Sequence, residues 1–504
     1  MEEDRAHNLR SGNTPHTMTA DPTATIRFRL DGETVAVQDL PATTTVLEWL
    51  REHAGRCGTK EGCAEGDCGA CTVVLGSRDG DSLRYEAVNS CIRFLPTIDG
   101  KELVTVESLQ APDGSLHPVQ QAMVDHHGSQ CGFCTPGFVM SMLALYLNDP
   151  APTRETVLQS LAGNLCRCTG YRPIIEAARS MDAYPAPVRW SRAQAAAADN
   201  TAALAALARD ESLHLPGFHA PRSLDELAET YAAAPESLLL AGATDIGLWV
   251  TKDLRELPPM IYLGEVAELQ RIDSGPEGLR IGAAVSLSRA WPAVVAQQPA
   301  LAELAQRFAS PPVCNSGTLV GNIANGSPIG DSMPALIACG AELTLRHGAQ
   351  RRRLALEALY LGYQQKDLAP GEFIEAVHLP PPTEDQHLAC YKLAKRFDQD
   401  ISGLCAAIRL TEADGCVTEA RIAFGGMAAT PARARHAEAA LEGRTLSGTS
   451  IAAAAAALAQ DFTPLSDMRA SSDYRLRAAG NLLRRYHLER TQAADCLRVT
   501  EVEA

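Results

Sequence analysis

The sequence predicts a multidomain α+β protein in which a small sheet is followed by a helical bundle and then by two mixed units. Three observations carry this reading. At 504 residues the chain is longer than a single domain usually runs. Apolar residues alternate with period two near the N-terminus and change to helical spacing from about residue 105. An Ala-rich stretch at 186–211 then divides this part from a longer region of mixed strands and helices.

The elements follow in chain order. Residues 1–22 are polar and of mixed charge, and read as a disordered leader without the basic start and apolar run of a secretory signal. Over 23–40 (TATIRFRLDGETVAVQDL), two alternating runs flank Asp31-Gly32, a β-hairpin pattern. TTVLEWLREHA (44–54) has helical spacing, while CTVVLG (71–76) and VNSC (88–91) read as strands, which gives a sheet unit over 23–105. Residues 106–185 predict four helices. Pro118 opens the first, Thr135 offers a capping hydroxyl before Pro136 in the second, Thr153 begins the third and Pro173 opens the fourth.

The stretch 186–211 is expected to be an extended or partly helical linker. Beyond it, LLLAGATDIG (238–247), which begins as a strand, MIYLGEV (260–266) and GLRIGAAVSL (278–287) belong to a pattern of mixed strands and helices, in a unit over 212–383 that ends at Pro380, Pro381 and Pro382. In the last unit, 384–504, HLACYKLA (387–394), LCAAIRL (404–410) and EARIAFGGM (419–427) predict an antiparallel sheet followed by Ala-rich helices.

Composition excludes some functions. A net charge of −16 argues against a nucleic-acid backbone or an anionic membrane surface as partner. No apolar run approaches the roughly 20 residues of a spanning helix. The expected location is therefore the cytoplasm, where structural disulfides are a poor explanation for 15 cysteines. Nine of the 15 fall between Cys57 and Cys168, and such clustering points to metal.

Cys63, Cys68 and Cys71 lie in KEGCAEGDCGAC, with Cys91 after them. The C-x4-C-x2-C…C spacing is the plant-type arrangement for a [2Fe–2S] cluster. Gly62, Gly66 and Gly69 let one tight loop bring several thiolates together. Four thiolates also suit a structural zinc, although zinc favours two separated knuckles. Cys57 has no place in the pattern. A second group, Cys131 and Cys134 in SQCGFCTPG with Cys166 and Cys168 in GNLCRCTGYRP, sets each pair beside a predicted helix end, where the helix dipole favours negative charge. C-x2-C alone also fits a redox pair or half a zinc knuckle.

Two later segments are rich in small residues. In LLLAGATDIG, backbone amides around Gly242 could cradle a diphosphate, though AGAT also suits any tight turn, and G-x-G-x-x-G is absent. NSGTLVGNIANGSPIGDSMPA (315–335) gathers Thr318, Gly321, Asn322, Asn325, Ser327 and Asp331, with a surface loop as the alternative.

QCGFCTPG followed by GNLCRCTGYRP resembles the helical [2Fe–2S] domain of the molybdenum hydroxylases, which include xanthine dehydrogenases and aldehyde oxidoreductases. The upstream loop is similar to that family's ferredoxin domain. The two small-residue segments resemble its FAD domain, a fold shared with vanillyl-alcohol-oxidase-type flavoproteins, and 388–500 resembles its smaller C-terminal domain. The resemblance implies a β-grasp plant-type ferredoxin domain, a four-helix [2Fe–2S] domain, an FAD-binding domain and a C-terminal α+β domain.

By that resemblance Cys131, Cys134, Cys166 and Cys168 hold the cluster nearest a molybdopterin, with Gln130 facing the pterin, and Cys63, Cys68, Cys71 and Cys91 hold the other. Leu239, Leu240, Ala241, Gly242, Ala243, Thr244, Asp245 and Ile246 wrap the FAD diphosphate. Thr318, Gly321, Asn322, Asn325 and Asp331 contact the diphosphate or sugar portions. Phe308 and Ile374 lie beside the isoalloxazine, and Lys392, on residue type alone a surface lysine, approaches the flavin ring. The loop Lys395–Ile401 differs in charge pattern from the vertebrate relatives, which leaves the NAD⁺ contacts open.

The module order resembles the small subunit of bacterial xanthine dehydrogenases. It implies a partner subunit that binds molybdopterin, two copies of each subunit in a heterotetramer, and electron flow through both clusters to FAD and then NAD⁺. An aldehyde or N-heterocycle oxidoreductase is the alternative.

Overall fold

The computed structural model describes residues 22–491. Residues 1–21, most of the expected leader, and 492–504, the end of the last unit, lie outside the described residues.

The hairpin is present as β1 (Ile26–Leu30) and β2 (Glu33–Val37), and both turn residues take positive φ, Asp31 at 58° and Gly32 at 87°. β3 (Thr72–Asp79), β4 (Ser82–Asn89) and β5 (Glu102–Val104) complete a sheet of order β2-β1-β5-β3-β4, with β1 and β5 parallel. The segment expected to be helical over 44–54 is helical, but it widens to π-winding over Trp49–His53. Trp49 meets Phe28 edge-on with ring centroids 5.0 Å apart, which seats this segment on the sheet.

Four helices follow: Pro118–Asp125, Thr135–Asn148, Arg154–Ser160 and Arg172–Ser180. Every residue from Gly137 to Tyr146 is buried, so the second helix forms the axis of the bundle. One capping expectation is corrected. Thr135 is itself helical, Cys134 is the cap residue, and the Thr135 hydroxyl bonds Ser129 Oγ at 2.7 Å instead. Thr153, where the third helix is expected to begin, is its cap residue and accepts from the Thr156 amide.

The linker is partly helical, over Arg192–Ala195 and Ala198–Ala205, and it is packed rather than loose. Trp190, Leu204 and Leu207 are buried, and Trp190 Nε1 donates to the Ser108 carbonyl at 3.2 Å. Arg209 forms an ion pair with Asp99 of the first unit.

Beyond the linker, β6 (Leu213–Leu215), β7 (Phe218–Ala220), β8 (Leu238–Leu240) and β9 (Met260–Tyr262) form a sheet of order β6-β7-β9-β8. Its apolar face shares one core with the N-terminal sheet: Phe28, Leu50 and Phe94 pack in the same cluster as Phe218, Leu240 and Met260. β10 (Ile272–Gly275), β11 (Gly278–Gly282), β12 (Glu342–His347) and β13 (Gln350–Ala355) belong to an antiparallel sheet of order β10-β11-β16-β12-β13. The short hairpin β14 (Tyr360–Gly362) and β15 (Gln365–Lys366) precedes its central strand β16 (Phe373–Leu379). The last unit holds β17 (Gln386–Leu393), β18 (Leu404–Ala413), β19 (Cys416–Gly425) and β20 (Ala432–Arg433), antiparallel as expected and packed with helices Gly448–Asp461 and Ser472–Thr491. Among the described residues no helix is long and apolar enough to cross a membrane.

Candidate redox centres

The first thiol set converges as its spacing predicts. Cys71 and Cys91 are buried with sulfurs 3.2 Å apart, and Cys63 touches both Cys68 and Cys91. All four are free thiols. The positive φ of Gly66 (78°) and Gly69 (70°) turns the loop so that the Glu65 and Cys68 amides donate to Cys63 Sγ, each at 3.4 Å. Hydrogen bonds from Cys68 and then Cys91 hold the Cys63 thiol far below its usual range, while Cys68 and Cys91 are pushed far above theirs by the bond to Cys63. Thiols packed so closely cannot all ionise without cations among them. Cys57 is exposed and outside the set, as expected.

The second set is assembled by two helix starts. Cys131 and Cys134 precede helix Thr135–Asn148, and Cys166 and Cys168 precede helix Arg172–Ser180. Cys134 is itself the cap residue of the first helix, and Cys168 lies three residues before the cap of the second, Tyr171. Cys134 meets Cys166, and Cys131 meets Cys168. Burial, with Cys166 beside it, pushes Cys134 up to about 12. Burial also opposes ionisation of Cys166, yet the Thr169 hydroxyl and amide, donating at 3.2 and 3.4 Å, hold its thiol below the usual range.

The sulfur spacing bears on the zinc alternative. One tetrahedral zinc with Zn–S of about 2.3 Å needs its sulfurs within about 3.8 Å of one another. Among the described residues, neither set has three donors mutually within 4.8 Å. The sulfurs spread along close contacts, which suits two adjacent metal atoms and fits a [2Fe–2S] cluster in each set.

The flavin segments also meet. The cradle 239–246 leaves β8 and enters helix Ile246–Thr251, with Ala243 at φ 62°. A Cβ on Gly242 would stand 2.1 Å from the Ser316 carbonyl oxygen, so only glycine lets the cradle touch the second segment. Asn325 donates to Asp245 at 3.0 Å. Thr318 caps helix Leu319–Asn325 through the Gly321 amide, and Asn322 accepts from Ser332, so these two side chains are engaged within the protein. Phe308 is half-buried against Trp291, with centroids 5.2 Å apart, and Ile374 lies in the same core as Leu239 and Ala241.

Lys392 is not a surface lysine. It is buried and pairs with buried Asp331 at 2.5 Å, and Arg307 next to Phe308 donates to the Lys392 carbonyl at 3.2 Å. The second Asp331 carboxylate oxygen is buried and has no partner in the protein. An orphaned acceptor beside a cation and a bare glycine cradle fits the hydroxyls and phosphates of FAD.

The first thiol loop is wedged between the other two centres. On one side the Leu165 amide donates to the Cys68 carbonyl at 3.0 Å, joining the two thiol sets backbone to backbone. Asn164, 3% exposed, donates to the Gly69 carbonyl at 3.1 Å and to Thr72 Oγ1 at 3.2 Å, and accepts from Ser141 at 2.6 Å. On the other side, helix Ile246–Thr251 and the residue after it bind the loop: Thr251 donates to the Ala64 carbonyl at 2.7 Å, and Lys252 to the Cys63 carbonyl at 2.8 Å. Sequence reasoning missed Asn164, Thr251 and Lys252. Asn164 sits inside the GNLCRC segment and was within reach, whereas Thr251 and Lys252 carry no local signal.

Comparison with known proteins gives matches to four families in the same order. Residues 28–94 match the family described as "2Fe-2S iron-sulfur cluster binding domain", and 105–179 the "[2Fe-2S] binding domain". Residues 212–382 match "FAD binding domain in molybdopterin dehydrogenase", and 389–490 "CO dehydrogenase flavoprotein C-terminal domain". Among curated proteins the chain is 32% identical to xanthine dehydrogenase of Emericella nidulans over 87% of its length and 33% identical to that of Drosophila subobscura over 81%. It spans only about a third of those relatives, 36% and 35%. Among solved structures, a chain of carbon monoxide dehydrogenase from Hydrogenophaga pseudoflava, in a form lacking the Mo-pyranopterin moiety, is 30% identical. The match covers 53% of this chain and 94% of that one, with a TM-score of 0.50.

Proposed function

This chain belongs to the molybdenum hydroxylase family, of which it carries the iron–sulfur and flavin modules, and from that premise we propose that it is the electron-transfer subunit of a xanthine dehydrogenase. The single observation that carries the reading is the wedged loop, with Cys68 bonded toward the second thiol set and Cys63 toward the flavin helix. Bound there, the clusters would supply one-electron carriers and FAD a two-electron site able to serve a hydride acceptor, here NAD⁺.

In this reading Cys63, Cys68, Cys71 and Cys91 hold the inner cluster, and Cys131, Cys134, Cys166 and Cys168 hold the outer one. Cys131 and Cys168 are exposed, and Phe133, Leu165 and Tyr171 add exposed apolar surface around them. That rim suits a partner subunit carrying molybdopterin, in a heterotetramer with two copies of each chain. Residues 239–246 hold the FAD diphosphate. Asp331, with one buried carboxylate oxygen unpartnered, would accept from a cofactor hydroxyl, and Lys392 beside it would supply a positive charge near the ring. Phe308 and Ile374 wall the ring. Free thiols in this number suit the cytoplasm.

The test is to purify the chain with its co-expressed partner and assay xanthine and aldehydes against NAD⁺ and O₂. Xanthine-dependent NAD⁺ reduction is the expected result. Turnover of aldehydes without xanthine would instead assign the same role to another hydroxylase of the family.

A further inference from the structure

We propose that His214, His219 and Glu226 form a zinc site at the start of the flavin-side unit. His214 on β6 and His219 on β7 are register partners, so both side chains leave the same face of the ribbon. Their rings stack 4.1 Å apart at an interplanar angle of 20°. Glu226, in the first turn of helix Leu224–Ala233, reaches the same point, with Oε1 3.1 Å from His219 Nε2. One donor atom from each residue lies within 4.8 Å of the other two.

The spacing suits one ion. Zinc bonds to nitrogen and oxygen of roughly 2.0–2.2 Å at tetrahedral angles put neighbouring donors about 3.3 Å apart. The glutamate and His219 already stand at nearly that separation. Two imidazoles and a carboxylate are a donor set for zinc rather than for magnesium or calcium, which prefer oxygen alone.

The surroundings prepare the ligands. Ser212 Oγ donates to Glu226 Oε1 at 2.6 Å, and the Arg222 amide to Oε2 at 2.9 Å, which fixes the carboxylate. The His214 ring is exposed and makes no hydrogen bond among the described residues. A cavity of about 490 Å³ opens onto the cluster, lined by Asp210, Glu211 and Glu226 against one cation, Arg222, which pairs with Glu265; the acidic excess favours a cation, and the space leaves room for a water as fourth ligand. A bound ion would tie the β6–β7 hairpin to helix Leu224–Ala233.

The experiment uses the cluster- and flavin-loaded chain without a histidine tag. After brief treatment with a mild chelator it is incubated with Zn²⁺, gel-filtered, analysed for zinc and iron, and melted. Wild type should retain about one zinc per chain with iron unchanged, and zinc should raise its melting temperature by a few degrees. His214→Ala, at an exposed position, should fold normally and lose both the zinc and the shift, and Glu226→Gln should weaken both. Failure of wild type to retain zinc, or equal zinc in wild type and His214→Ala, would overturn the proposal.

Discussion

Gly247 rests on Ile92 so closely that a Cβ at 247 would stand 2.5 Å from the Ile92 carbonyl oxygen. Ile92 follows the last thiol of the first set, and Gly247 follows the flavin cradle. This contact presses the loop of the first thiol set against the helix that follows the glycine cradle.

Gly247→Ala must push backbone against backbone, at a cost of about 1–3 kcal/mol. Iron and flavin content should stay near wild type, while flash reduction of the clusters should be followed by slower flavin bleaching. An unchanged bleaching rate would mean that the contact does not set the transfer distance.

His117 makes stability depend on acid. Burial holds it down to about 4, with Nδ1 capping the Val119 amide and Nε2 facing the Trp190 carbonyl at 3.2 Å. The unfolded residue titrates near 6.5, so between about 6.5 and 4 the unfolded chain takes a proton that the folded chain refuses. Stability is therefore present above that window and falls with pH through it, by at most about 3 kcal/mol. Denaturant unfolding of His117→Gln should lack this part of the acid slope, and parallel slopes in the two proteins would count against it.

Lys392→Met strands the buried Asp331 carboxylate and should cost about 3–5 kcal/mol in denaturant unfolding. Adding Asp331→Asn should recover most of that loss. Neither variant should retain flavin through gel filtration. Full flavin in the double variant would remove this pair from the cofactor site.

Asn164→Ala removes the side-chain tie between the two thiol units and leaves the Gly69 carbonyl without its Asn164 donor. Roughly 1–3 kcal/mol should be lost on denaturant unfolding. A neutral effect would show that Leu165 and the surrounding packing hold the units together unaided.

Much of this was legible in the sequence because it is local. The Asp31-Gly32 hairpin, the proline-opened helices and the C-x4-C-x2-C loop depend on neighbours a few residues apart. The widened turn at Trp49–His53 is set by packing on the sheet, and the shift of the cap from Thr135 to Cys134 by the bond to Ser129, neither of which appears in a local pattern. The buried state of Lys392 depends on Asp331, 61 residues away. The linker was readable as partly helical, but its burial rests on Ser108 and Asp99, far upstream.

The most direct measurement is electron paramagnetic resonance of the reduced holoprotein beside Cys91→Ser and Cys166→Ser, with iron counted in each. The account predicts two separable [2Fe–2S] signals and about four irons per chain in wild type. Each variant should lose one signal, a different one in each case, and about two irons. A colourless protein containing zinc, or the same signal lost in both variants, would contradict it.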